Sequence, residues 1–133
     1  NSIYSSWKVE GNLKSHKIHK GIAKEINKNT KTISLDKFIK KNNIKNNIIL
    51  KIDVDGFEMK VLKSCVASLK KYDPIIFMEY APYALKEYGS SIYEFNKFIK
   101  RFNYKIFDLD FKKLNQIKIS EGSSKDIVLI KDK

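Results

Sequence analysis

The chain has 133 residues, of which 42% are hydrophobic and 12% aromatic; that is enough to bury a core and excludes wholesale disorder. Its formal charge is +12, but Arg101 is the one arginine among 27 basic residues. Nucleic-acid surfaces exploit the planar arginine fork, so the lysines read as a solvated coat and no specific nucleic-acid partner is expected. No apolar run approaches the roughly 20 residues that span a bilayer, residues 1–30 show no signal peptide, and the single Cys65 excludes an internal disulfide, so a cytoplasmic chain is expected.

From Asn1 to Asn29 the pattern is weak. "GIAKEI" (Gly21–Ile26) alternates loosely as a strand would, and "NKNTK" reads as a loop. In "SLDKFIKKNN", Leu35, Phe38 and Ile39 fall at i, i+3, i+4 behind Ser34 as N-cap, which predicts a short helix ending in the asparagine-rich turn 42–47. Ile48–Asp53 is a near-continuous apolar run, predicted as a strand buried on both faces of a parallel sheet. Asp55-Gly56 turns the chain, and Phe57, Val61, Leu62, Cys65 and Leu69 then share one face of a single predicted helix that stops before Pro74.

"PIIFMEY" (Pro74–Tyr80) is the next predicted strand, completing a βαβ unit. "YAPYALKEYG" reads as a polar loop with a short helix, or as part of a substrate wall. Ser91 and Glu94 form a capping box ahead of a stripe of Ile92, Phe95, Phe98, Ile99 and Phe102. "YKIFDLD" (Tyr104–Asp110) and "DIVLIKD" (Asp126–Asp132) are two further strands, the last expected to run antiparallel. The fold class is α/β with a mainly parallel sheet, over 1–133 as a single domain.

In open parallel sheets, ligands sit beyond the carboxyl ends of the strands. Asp53 and Asp55 close the first strand and Glu79 sits at the matching end of the second; strands about 4.8 Å apart would let these acids share a cleft. One carboxylate can act as a general base on a substrate hydroxyl, and several can hold a cation or bind polyol hydroxyls. Asp55 and Glu58 have a structural alternative, capping the helix that starts near Phe57 and complementing its dipole. Asp53 and Glu79, as acids ending buried strands, are not required by the fold.

"TISLDKFIKKNNIKNNIILKIDVDGFEMKVLKS" followed by "PIIFMEY" resembles the FkbM-type methyltransferases, which show a threonine shortly ahead of an LD pair, a K-I-D-x-E-G-x-E strand-to-helix turn and a strand ending in an acid. The matching positions are Thr32, Leu35, Asp36, Lys51, Ile52, Asp53, Asp55, Gly56, Glu58 and Glu79, with Asp55 standing where the family more often has glutamate. "NSIYSSW" is a weak match to a serine-containing loop of the family.

The resemblance implies a Rossmann-like class I fold and use of S-adenosyl-L-methionine to methylate a hydroxyl of a sugar, glycolipid or secondary metabolite. Under it Asp53 or Glu79 would orient or deprotonate the hydroxyl, with Asp55 and Glu58 toward the substrate; Tyr80 and Tyr83, which follow the acidic end of the second strand, are substrate-side candidates by position. Such folds hold the cofactor on a glycine-rich loop after their first strand, whereas the five glycines here are isolated. The chain, which begins at Asn1, is therefore expected to be the C-terminal half of such a domain, binding the cofactor only if another chain completes the sheet, which leaves homo-oligomerisation open.

Two signals are set aside: His16 and His19 form H-x-x-H between lysines without a third ligand, so no metal is expected, and Cys65 sits on an apolar helix face as a core residue. The alternatives from other classes are a basic binding module for nucleic acid or an anionic glycan, and a catalytically dead α/β remnant used for interaction.

Overall fold

The computed structural model describes residues 32–120 and 122–132. The readings made for "NSIYSSW", His16, His19 and Gly21–Ile26 lie outside those residues.

Helix α1 (Leu35–Lys41) starts where its cap is: Ser34 Oγ accepts from the Lys37 N–H at 3.3 Å, and Asp36 and Lys40–Lys41 sit at the ends that suit the helix dipole. Strand β1 (Ile49–Ile52) follows, then α2 (Glu58–Lys63), α3 (Val66–Tyr72) and β2 (Ile75–Tyr80). α4 (Pro82–Glu87) opens with proline at its first position, where the missing N–H costs nothing. In α5 (Ile92–Arg101) the Ser91 hydroxyl accepts from the Glu94 N–H at 3.1 Å, and the Glu94 carboxylate pairs with Lys63 at 2.5 Å. Strands β3 (Tyr104–Phe107) and β4 (Lys125–Lys131) complete the order.

The four strands lie in the order β1-β2-β4-β3. β1 and β2 are parallel, while β4 is antiparallel to both β2 and β3. The last strand is thus antiparallel as expected, but it is inserted between two earlier strands, so among the described strands one pairing of three is parallel and the sheet they form is mixed rather than mainly parallel.

Two further expectations change. Among the described residues β1 is an edge of this sheet, with Ile49 65% exposed and only Ile52 of its residues buried, so they do not cover it on both faces. The helix expected to run from Phe57 to Pro74 breaks into α2 and α3, and the cause is Asp36. Its carboxylate accepts from the N–H groups of Ala67 and Ser68 and from the Ser68 hydroxyl, while its own N–H donates to Ser64 O. A carboxylate from α1 therefore caps a new helix at the break. Partial burial opposes its ionisation, yet the three donors hold its carboxyl below the usual range.

The core gathers Ile76, Met78 and Tyr80 of β2 and Ile127 and Leu129 of β4 against Met59, Leu62 and Leu69 from α2–α3 and Phe95, Ile99 and Phe102 from α5 and its C-cap. Burying each large side chain contributes on the order of 1.5–3 kcal/mol. Cys65 lies in this cluster, its thiol donating to Leu62 O and pushed up to about 12 by burial. Tyr104 is anchored by a buried hydroxyl that donates to Pro74 O at 2.9 Å.

Candidate active site

The strand-to-helix turn after β1 is built from the backbone outward. Phe57 N–H donates to Val54 O, and the two residues between, Asp55 and Gly56, both have positive φ (47° and 97°), the pattern of a type I′ turn. Aspartate is among the few side chains that tolerate this region, and glycine is required at the second position: a Cβ there would lie 2.4 Å from the Tyr88 ring and 2.7 Å from Ala84 O. Because Asp55 is left-handed, the extended geometry that would set Asp53 and Asp55 on one side does not continue through it.

Capping at this turn falls to Glu58. Phe57 is the N-cap of α2 and makes no side-chain cap bond; instead Glu58 Oε1 accepts from the N–H groups of Val54 at 3.3 Å and Gly56 at 3.1 Å. The side chain is 1% exposed, and Oε2 is buried without a hydrogen-bond partner among the described residues. Burial, opposed by the backbone donors and assisted by the nearby Glu79, pushes its carboxyl up.

At the sheet, the last parallel pair is Ile52 with Met78, so Asp53 and Glu79 are each the next residue on adjacent strands. Lys51 Nζ pairs with Asp53 at 2.6 Å. That bond and charge hold the Lys51 ammonium up, with smaller contributions from Asp126 and Glu79. Glu79 is half-buried and enters no ion pair among the described residues. Its charge acts at longer range, on Lys51, Glu58 and Tyr83.

Sequence reasoning missed Asp126. It stands opposite Glu79 in the β2–β4 register, which places a third carboxylate at the same end of the sheet. Only the insertion of β4 beside β2 brings it there, and the signal available beforehand was an acid opening the last predicted strand.

Tyr83, on α4, is 38% exposed. Burial first, then Glu79, Asp55, Glu87 and Glu58, push its hydroxyl up, so its phenol lies within electrostatic reach of that acidic group. Tyr80 goes elsewhere. It is 3% exposed and packs on Phe95 at 5.1 Å between ring centroids, within the core; the substrate-side expectation for it gives way to packing, because its neighbours Met78 and Ile76 share its face of β2.

The structure therefore brings Asp53, Asp55, Glu58, Glu79 and Tyr83 to one end of the sheet, adds Asp126, and leaves Tyr80 beneath. No group of three metal-ligating side chains occurs among the described residues. A nucleotide-type cofactor would need a backbone cradle, and the described glycines do not make one. The space at Gly56 is filled by Tyr88 and Ala84, while Gly89 and Gly122 are isolated and a Cβ at either would meet nothing within 4 Å. Among the described residues no glycine-lined cradle for S-adenosyl-L-methionine is present.

An α/β domain with acids gathered at the carboxyl ends of adjacent strands is an architecture suited to handling a polar ligand at the sheet's end. Comparison with known families is more specific: the family model described as Methyltransferase FkbM domain matches residues 2–106. The chain belongs to the FkbM methyltransferase domain family. No curated protein and no solved structure gives a significant match. No helix among the described residues is long and apolar enough to cross a membrane.

Proposed function

We propose that this chain is part of an O-methyltransferase that uses S-adenosyl-L-methionine and acts on a hydroxyl of a sugar, glycolipid or secondary metabolite. Family membership supports the methyltransferase class, and the cofactor follows from that class. The hydroxyl acceptor rests on the acids of the site.

The observation that carries the reading is Glu79. It is the penultimate residue of β2, beside the Asp53 position and opposite Asp126, half-buried and outside any ion pair among the described residues. A carboxylate outside any ion pair among the described residues is available to accept a proton. Asp53, engaged by Lys51, is suited to accepting a hydrogen bond from the acceptor and fixing its orientation. Tyr83 presents a phenol at the same end, able to donate to a second oxygen of a polyol. The cofactor supplies the methyl group when bound; the chain's own residues bind and orient the acceptor and take up the hydroxyl proton.

The cofactor is held, in this reading, by residues other than those described. Incubating the full-length polypeptide with radiolabelled S-adenosyl-L-methionine and a panel of sugars, glycolipids and polyketide-like alcohols tests the assignment. Label transferred to oxygen in any of these supports it. Transfer confined to nitrogen, sulfur or carbon acceptors contradicts the hydroxyl reading.

A further inference from the structure

Four lysines of the solvated coat stand around one groove. A groove of about 750 Å³ opens between α1, the 43–46 turn and α3, and Lys37, Lys40, Lys45 and Lys71 stand around it, all exposed. None of the four forms an ion pair among the described residues; Lys71 makes a cation–π contact with Tyr72, its ammonium 5.1 Å from the ring centre. The single acid in the lining, Asp36, has its oxygens committed to Ala67, Ser68 N–H and the Ser68 hydroxyl. The floor is apolar: Ile39 is buried, and Ile44 and Tyr72 are half-buried.

The groove is remote from the acids described above. Residues 43–46 precede β1 and Tyr72 precedes β2, so it lies toward the amino ends of the parallel pair, while Asp53 and Glu79 follow their carboxyl ends. An occupant here leaves the strand-end site open.

We propose that this groove docks an acidic segment of a partner protein in which carboxylates alternate with apolar side chains. Charge complementarity selects an anion, since four ammonium groups outside any ion pair among the described residues surround a site whose one described acid is already satisfied. The apolar floor asks for apolar side chains between those charges, which a nucleic-acid backbone does not offer, and the lining contains no arginine fork to grip phosphates in a bidentate manner. The apolar lining residues are buried or half-buried rather than exposed, which suits receiving a chain segment and not insertion into a flat lipid surface.

The test uses the intact 133-residue chain and a fluorescein-labelled synthetic peptide of alternating aspartate and leucine, followed by fluorescence anisotropy at fixed ionic strength. Two double charge reversals are compared, Lys40→Glu with Lys71→Glu in the groove and Lys97→Glu with Lys100→Glu on exposed α5 positions. Both change net charge equally, and circular dichroism checks that both fold. The groove pair is expected to weaken binding roughly tenfold or more, and the α5 pair by less than about twofold. Replacing the peptide's leucines with serine is expected to weaken binding as well. Equal losses from both pairs would overturn the proposal in favour of a non-specific lysine coat. So would tighter, groove-dependent binding of single-stranded DNA or of phosphatidylglycerol vesicles than of the peptide.

Discussion

Glu79 on β2 stands directly opposite Asp126 on β4 in the antiparallel register. Like charges in that relationship repel, and neither carboxylate has an ion-pair partner on its own strand among the described residues. Asp126→Asn is therefore expected to stabilise the fold by about 0.2–1 kcal/mol in urea denaturation at neutral pH and low salt, with the gain shrinking as salt is added. A destabilised variant would mean that the carboxylate makes a favourable contact the register does not reveal.

Asp36 ties α1 to the break between α2 and α3. Removing it leaves the first N–H groups of α3 without their acceptor, so Asp36→Ala should cost about 1–2 kcal/mol. Asp36→Asn, which keeps an acceptor, should cost less. Because its native carboxyl is held below the usual range, the stability it contributes is present above the ordinary value of 3.8 and lost as pH falls below it. Equal stability of wild type and the alanine variant would show that the helix break is fixed by Ser64 or by packing instead.

Glu58 works in the opposite sense. Burial raises its carboxyl above the ordinary 4.5, so between that value and the raised one the native state holds more protons than the unfolded chain. Stability must then fall as pH rises through this window. Urea titrations across weakly acidic pH should show this slope in the wild type and lose it in Glu58→Gln. A slope unchanged in the variant would assign it to another group.

Gly56 meets two demands at once, a φ of +97° and the close approach of Tyr88 and Ala84 O. Gly56→Ala is expected to destabilise by about 2 kcal/mol or more, since the strain of positive φ adds to a clash with backbone that cannot rotate away. Adding Tyr88→Ala should recover only part of the loss, because Ala84 O remains in place. Full recovery would place the whole constraint in the Tyr88 ring.

Much of the fold was legible from local pattern. The Ser34 and Ser91 caps, the α5 stripe of Phe95 and Ile99, the core thiol of Cys65 and the β1–turn–helix sequence around Asp55-Gly56 are all encoded within a few residues of where they act. What was not legible depends on pairing at long range. The split at Ser64–Cys65 comes from Asp36, far earlier in the chain, and hydrophobic periodicity runs through the break unaltered because Leu62, Cys65 and Leu69 all reach the same core. The exposure of Ile49 and the arrival of Asp126 both follow from strand order, which no local pattern states. Glu58 looked like a first-turn acid for the dipole, and its fully buried reach back to Val54 and Gly56 required the turn geometry.

The central claim is that the strand-end carboxylates handle the acceptor hydroxyl. The most direct measurement compares methyl-transfer turnover of the full-length polypeptide with that of Asp53→Asn and Glu79→Gln, with thermal unfolding recorded on each. A folded Glu79→Gln variant is expected to lose turnover by roughly 10²–10⁴-fold, the usual worth of a general base, and Asp53→Asn to lose less. Unchanged turnover in both folded variants would contradict that claim.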